Sequence, residues 1–243
     1  MAVVPVRLLL LIVGVVAQYV GITPPNVHPP NEQLREQRGL ERSLDLVLVT
    51  LRILLWSWAF IEGSILFALS GYCPPAFARP FLHLPTNLTS DPTELTPAFL
   101  TGIVLTLAGA LLRVSCYRAL GKHFTFQLSI RPTHALVTDG VYGIIRHPSY
   151  TGFMMHTVGY LFCVLDRQGP IVSVCTGLLD GSGTGHTTVT RVWACVWATG
   201  LYLIYALMFG RMNKEDEMLQ KNIGEEWRAW VKRVPYRLLP GVY

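Results

Sequence analysis

Charged residues are scarce. Asp, Glu, Lys and Arg make up 14% of the 243 residues, against roughly 25% in an ordinary soluble domain, and the deficit argues against a soluble enzyme. A mean hydropathy of +0.39, with 11% aromatics and 16 prolines, excludes a disordered chain, a coiled coil and a collagen-like fibre, because so much apolar surface has to be buried. The five cysteines, Cys73, Cys116, Cys163, Cys175 and Cys195, contain no C-x-x-C pair. They read as buried reduced thiols, with neither a disulfide framework nor a metal knuckle. Metal ligation is no better served: His123, His134, His147 and His156 stand eleven, thirteen and nine residues apart, which matches no pair of ligands on one helix face. No G-x-S-x-G suggests a hydrolase elbow. The glycine-rich run 181–185 follows no strand of a βαβ unit, so it reads as a flexible turn and not as a phosphate loop.

What the chain has instead is long apolar runs. Four of them, at 3–22, 44–70, 97–117 and 189–210, are long enough, or nearly so, to cross roughly 30 Å of hydrocarbon as helices. A fifth, at 150–165, has sixteen residues, about 24 Å of helix at ~1.5 Å per residue, so it crosses only with help from its flanks or a locally thinned bilayer. The run 171–179 reads as interfacial. The expectation is an all-α integral membrane protein, one domain over 1–243, with about five transmembrane helices. Three spans lie in 1–117 and the functional core in 118–243.

Orientation follows from the basic residues. Fourteen Lys and Arg fall in the connections 23–43, 118–149 and 211–243, and four in the opposite set. That count places the three segments in the cytosol, and five crossings put them on one side. A signal-peptide reading of 3–22 would send Arg35, Arg38 and Arg42 to the lumen against this bias, which favours a retained span. The net charge of +5 then belongs to a lipid bilayer partner, and nucleic acid is not expected. Asn87-Leu88-Thr89 is a glycosylation sequon on the luminal side. Arg52 and Glu62, ten residues and about 15 Å apart along a helix, cannot pair with each other. Together they could line a polar cavity; otherwise Arg52 snorkels to the cytosolic surface and Glu62 bonds a neighbouring helix, and for Arg52, near the cytosolic end, snorkelling is the expectation.

Polar residues capable of chemistry concentrate in two cytosolic segments. Between residues 121 and 150 stand Lys122, His123, Gln127, Arg131, His134, Asp139, Arg146 and His147. After the last span come Arg211, Glu215, Asp216 and Glu217, then an amphipathic helix over 217–232 with Leu219, Ile223, Trp227, Trp230 and Val231 at helical spacing. Pro148 biases His147 away from helix, leaving backbone N–H groups available to a ligand. The rings of Tyr142 and Tyr150 attract a cation such as a sulfonium by about 0.5–2 kcal/mol.

The segment from Gly121-Lys122-His123-Phe124, the string from His134 to Gly152 with its Arg146-His147-Pro148-Ser149-Tyr150-Thr151-Gly152, and the tail with Glu215-Asp216, Gly224-Glu225-Glu226-Trp227 and Arg233-Val234-Pro235 resemble the isoprenylcysteine carboxyl methyltransferases of the endoplasmic reticulum. The resemblance covers the C-terminal half; the first two spans match only as generic membrane helices. It implies an S-adenosylmethionine site on the cytosolic face of the endoplasmic reticulum membrane, formed by Gln127, His134, Ala135, Leu136, Val137, Tyr142, His147, Pro148, Ser149, Tyr150 and Glu215. It also implies that Arg211 meets the substrate carboxylate, so that Arg211 and Glu215 form the catalytic edge. The implied partners are prenylated CaaX-type protein C-termini. Asp216 departs from the family, where a second Glu is usual, and Ala135 stands where Thr is expected.

The implied reaction makes a methyl ester of the α-carboxylate of a prenylated cysteine. A carboxyl with a pKa of about 3.5 is already ionised at neutral pH, so no general base is required, and the protein's task is to position and desolvate. Two other readings stand beside it: a phospholipid or other small-molecule methyltransferase of the same superfamily, and a catalytically silent membrane adaptor.

Overall fold

The computed structural model describes residues 3–23, 25, 38–70, 72–74, 76, 93–121, 136–166, 169–172 and 185–242. Among these there is no strand. The helices are α1 (Val3–Ile22), α2 (Arg38–Leu69), α3 (Pro97–Leu120), α4 (Pro148–Val164), α5 (Gly185–Ile223) and α6 (Glu225–Arg233), with a 3₁₀ turn at Gly140–Gly143. Four are long and apolar enough to cross a membrane, over Val4–Ile22, Val49–Leu69, Pro97–Leu120 and Ala194–Ile223. The fifth expected crossing is α4, whose 17 residues give about 25 Å.

Local signals set the helix ends. Thr96 caps α3 by accepting from Phe99 N at 3.0 Å, Pro97 opens it, and Gly121 at φ +51° ends it. His147 has φ −124° and ψ 58° and sits just ahead of α4, as Pro148 requires, but the backbone N–H groups expected to be available to a ligand there are taken, Arg146 N and His147 N donating to the Tyr236 and Arg237 carbonyls, both at 2.9 Å. Several boundaries differ from the sequence reading: α2 begins at Arg38 and not at 44, and the span expected over 189–210 is part of a helix that runs over Gly185–Ile223. The amphipathic helix over 217–232 is divided at Gly224, whose φ of +62° lies where only glycine is unstrained. Residues up to Ile223 continue the last long helix, and α6 turns away from it.

Contacts at both ends fix the directions of the helices. Along α1 and α3, Arg7 meets Glu94 and Phe99 at one end, while Gly21 meets Arg113 and Tyr117 at the other. These two helices are therefore parallel. Arg7 bonds Glu62, and Arg52 bonds the Ile22 carbonyl at 3.2 Å, so α2 is antiparallel to α1. Along α4 and α5, Tyr150 meets Arg211 and Tyr160 meets Trp197, again antiparallel. The five long helices alternate in direction, which brings the C-terminal ends of α1, α3 and α5 to the N-terminal end of α4. The described residues 136–149 and 211–242, which belong to segments read as cytosolic from their charge, lie at this end.

α3 and α4 approach backbone to backbone. A Cβ on Gly109 would stand 2.6 Å from the Gly152 carbonyl oxygen, and one on Gly159 would stand 2.6 Å from the Gly102 carbonyl oxygen. The glycines recur every seven residues on each helix, so two turns of one slide directly against two turns of the other. Glycine has no alternative at these four places, because any side chain meets main chain.

At the far end, Arg7 lies fully buried. It donates to Glu62 at 3.2 Å and to Asp166 at 3.1 Å and stacks over Phe99 at 4.2 Å. Of the two readings of Glu62, the structure shows the bond to a neighbouring helix. Arg52 finds a protein partner in the α1 C-terminus, where a cation suits the free carbonyls and the negative end of the helix dipole. The cysteine expectation holds for Cys116 and Cys163, which are buried. Cys195 is exposed on α5, beside the exposed Val192, Val196, Tyr202 and Leu203, which suit a lipid-facing surface.

Candidate active site

The end of the bundle where α4 begins is lined from three directions. The 3₁₀ turn brings Tyr142 beneath α6, where Trp230 Nε1 donates to the Tyr142 carbonyl at 3.1 Å. Tyr142, Cys116, Trp227, Trp230 and Val234 form a second apolar cluster, against which Leu136 and Val137 pack. Burial, then the neighbouring Cys116 thiol and Glu215 carboxylate, hold the Tyr142 phenol well above its ordinary pKa, so it stays protonated. This cluster is the floor of the site.

Its polar edge is carried by Tyr150. The Tyr150 hydroxyl donates to Glu215 Oε2 at 2.8 Å and accepts from Arg211 Nε at 3.1 Å. Arg211 and Glu215, one turn apart on α5, are thus linked through a ring on α4. The tyrosine between them holds the two side chains on one side of α5. The two helices reach each other here through side chains.

Beside that edge lies an ionic knot centred on Asp216. His147 Nε2 lies 2.9 Å from Oδ1, while Oδ2 receives Arg237 at 2.7 and 3.1 Å and Arg146 at 3.3 Å. His147 and Asp216 are both buried. Ser149 is engaged toward the bundle: its carbonyl and hydroxyl oxygens accept from Arg113 at 3.0 and 3.2 Å. Arg113 also donates to the Gly21 carbonyl and to the Tyr117 hydroxyl. It therefore ties the end of α1 to the start of α4.

Of the residues named from sequence, Leu136, Val137, Tyr142, His147, Pro148, Ser149, Tyr150, Arg211 and Glu215 gather at this end of the bundle. Gln127, His134 and Ala135 lie outside the described residues. Three contributors escaped the sequence reading as site residues. Asp216 was visible as the neighbour of Glu215, but its central place depends on Arg237, twenty-one residues away. Arg113 reads in the sequence as a stray charge near the end of an apolar run.

Comparison with known proteins points the same way. Residues 102–176, from within α3 through α4, match the model of the isoprenylcysteine carboxyl methyltransferase family. Protein-S-isoprenylcysteine O-methyltransferase B of Arabidopsis thaliana is 43% identical over 60 residues, 24% of this chain and 30% of that protein. The human protein-S-isoprenylcysteine O-methyltransferase is 28% identical over 144 residues, 58% of this chain and 41% of that protein. The Delta(14)-sterol reductase of Neurospora crassa is 29% identical over 131 residues, 50% of this chain and 26% of that protein. The matched stretches span less than half the length of each of these relatives. No solved structure matches.

Proposed function

We propose that this chain, which resembles the isoprenylcysteine carboxyl methyltransferases over its α3–α4 region, transfers a methyl group from S-adenosylmethionine to the C-terminal α-carboxylate of a prenylated cysteine in processed CaaX proteins. The site would face the cytosol from the endoplasmic reticulum membrane. The observation that carries the reading is the Tyr150 hydroxyl joining Arg211 to Glu215; Tyr150 lies inside the stretch 102–176 that matches that family, and Arg211 and Glu215 stand on the later helix α5, outside it.

The residues fit the cofactor. Its ammonium and ribose hydroxyls need acceptors, which Glu215 supplies, and its rings and sulfonium suit the aromatic faces of Tyr142 and Tyr150. The buried Trp227 Nε1 has no protein partner among the described residues and is a donor in waiting. Leu136, Val137, Tyr142 and His147 supply the remaining lining, with Gln127, His134 and Ala135 expected from sequence. When bound, the cofactor supplies the electrophilic methyl.

This chain's own residues then have three tasks. Arg211, with Nε already committed to Tyr150, presents its remaining N–H groups to the substrate carboxylate. A carboxylate oriented by one side of the guanidinium keeps a lone pair for attack, whereas a full clamp would dull the nucleophile. Glu215 accepts from the cofactor and is itself fixed by Tyr150. The floor of Tyr142, Trp227 and Trp230 excludes water from the reacting atoms. The substrate's prenyl chain gains about 0.8 kcal/mol for each methylene-sized group buried among apolar helices, and enters from the lipid.

The test is methyl transfer from labelled S-adenosylmethionine to N-acetyl-S-farnesylcysteine in membranes expressing the chain. Base-labile ester formed by the wild type, and lost in folded Arg211→Ala and Glu215→Ala variants, is the expected result. Transfer to a phospholipid instead would assign the same site to another acceptor. Absence of both transfer and cofactor binding would overturn the reading in favour of an adaptor, or of the reductase activity named for the Neurospora crassa relative.

A further inference from the structure

The segment after α6 doubles back over the start of α4. Its carbonyls at Pro235, Tyr236, Arg237 and Leu238 accept in turn from the Arg146 side chain at 3.2 Å, Arg146 N at 2.9 Å, His147 N at 2.9 Å and Thr151 Oγ1 at 2.8 Å. Four consecutive carbonyls are engaged by one short stretch, and the flanking Val234 and Leu238 are buried. The strap is anchored by main chain, independent of its side-chain charges.

The Arg237 side chain turns the other way, onto α5. Its Nε and terminal nitrogen both donate to Asp216 Oδ2, at 3.1 and 2.7 Å, which leaves Oδ1 facing His147 Nε2 at 2.9 Å. The remaining donor to Oδ2 is Arg146, at the longer distance of 3.3 Å. A carboxylate between two guanidiniums is ionised and only accepts, so the proton of the His147 contact is assigned to Nε2. In the tautomer whose single ring proton is on Nε2, Nδ1 is an acceptor. Tyr150 packs edge-on against the imidazole, with ring centroids 5.6 Å apart, which restricts its tilt.

We propose that Arg237 is a positioning residue of the cofactor site: it orients the Asp216 carboxylate, and through it fixes the His147 tautomer and ring so that Nδ1 is presented to an amino or hydroxyl donor of the bound cofactor. The proposal rests on the cofactor site proposed above. It gives the tail 234–242 a role that its positive charge alone does not suggest. Arg237 touches neither reactant; it acts two bonds away.

Two measurements separate this from a plain structural role. The first needs no cofactor. In ¹⁵N-histidine spectra of the full chain in nanodiscs, with the His147 signal identified by its loss in His147→Asn, the wild type shows a protonated Nε2 and a bare Nδ1. Arg237→Gln mixes the two tautomers, and Arg237→Lys restores most of the wild-type signal. The second is kinetic. Arg237→Gln raises the KM for S-adenosylmethionine roughly tenfold and leaves that for the prenylcysteine within about twofold, because only one reactant meets His147. The double variant Asp216→Asn with Arg237→Gln loses no more than Asp216→Asn alone, as expected when one residue acts through the other. A wild-type tautomer in Arg237→Gln, or losses that add, would overturn the proposal. Should Arg237→Gln not fold, Arg237→Lys carries the same comparison, with a cofactor KM about threefold higher and the expected tautomer shift in part. Failure of the wild type to transfer methyl would defeat the proposed function, while the tautomer comparison would still decide the role of Arg237.

Discussion

Gly109→Ala tests how the site depends on the seam between α3 and α4. The new methyl carbon would stand 2.6 Å from both the Gly152 carbonyl oxygen and His156 N, and ordinary contact begins near 3.4 Å, so the helices must part by about 0.8 Å. Neither neighbour is a flexible side-chain end that swings away. Overpacking of this kind costs about 1–3 kcal/mol, offset by about 0.5–1 kcal/mol because alanine is the better helix former. The displacement also reaches the site. Tyr150 sits at the start of α4 with hydroxyl contacts of 2.8 and 3.1 Å to α5, and an added ~0.8 Å carries both beyond useful hydrogen-bond length. We predict a thermal midpoint lowered by several degrees in nanodiscs, and a KM for S-adenosylmethionine raised about tenfold, equivalent to roughly 1.4 kcal/mol. Gly200→Ala on α5 is the control, since nothing lies within 4 Å of its Cβ. Calorimetry and the methyl-transfer assay on the three proteins decide the matter. If Gly109→Ala matches Gly200→Ala in both readouts, the backbone seam does not set the position of Tyr150.

Three shorter predictions follow. Tyr150→Phe removes the hydroxyl that joins Arg211 to Glu215 and leaves the ring; cofactor KM should rise about tenfold with a stability loss of about 1–3 kcal/mol, and an unaltered KM in the transfer assay would refute the bridge. Arg7→Met leaves the buried Glu62 and Asp166 without their shared cation, a loss of about 3–5 kcal/mol when one partner of a buried pair is removed; denaturation in detergent checks it, and a change below about 1 kcal/mol would refute it. Arg113→Lys keeps the charge but cannot serve the Gly21, Tyr117 and Ser149 oxygens together. It should destabilise by about 1–3 kcal/mol, and a midpoint equal to wild type would show that these contacts carry little.

What the sequence makes legible is the part governed by transfer to lipid. The limits of α1 and the start of α3 at Pro97 follow from apolar length and a proline in the first turn, and counting basic residues puts 136–149 at the same end as 211–242. His147, Tyr150, Arg211 and Glu215 were readable as a motif, and the helix directions bring them together. What could not be read is pairing that depends on the path of the tail. Arg237 is, in sequence, one more positive charge of the tail, and only the reversal after α6 turns it onto Asp216 beside Arg146 of the motif. Arg7 is the converse case. It counts as a topological charge in the sequence, yet in the bundle it holds α1, α2 and the end of α4 together. The glycines at 102, 109, 152 and 159 show their spacing openly, but spacing does not reveal which two helices share it.

That shared seam bears on how the protein is made. α4 has only 17 residues, and it carries Thr151, His156 and Thr157 into the bundle with both His156 ring nitrogens lacking a protein partner among the described residues. A segment so short and so polar gains little from entering lipid alone. Its partner precedes it in the chain, and the surface it needs is the glycine face of α3. Insertion should therefore proceed with α3 and α4 as a hairpin, α3 waiting at the translocon until its successor arrives. In a glycosylation-tag insertion assay, α4 placed behind a foreign span should fail to cross, whereas α4 behind its own α3 should cross. If α3 bearing Gly102→Leu and Gly109→Leu supports α4 equally well, the two helices enter the membrane independently.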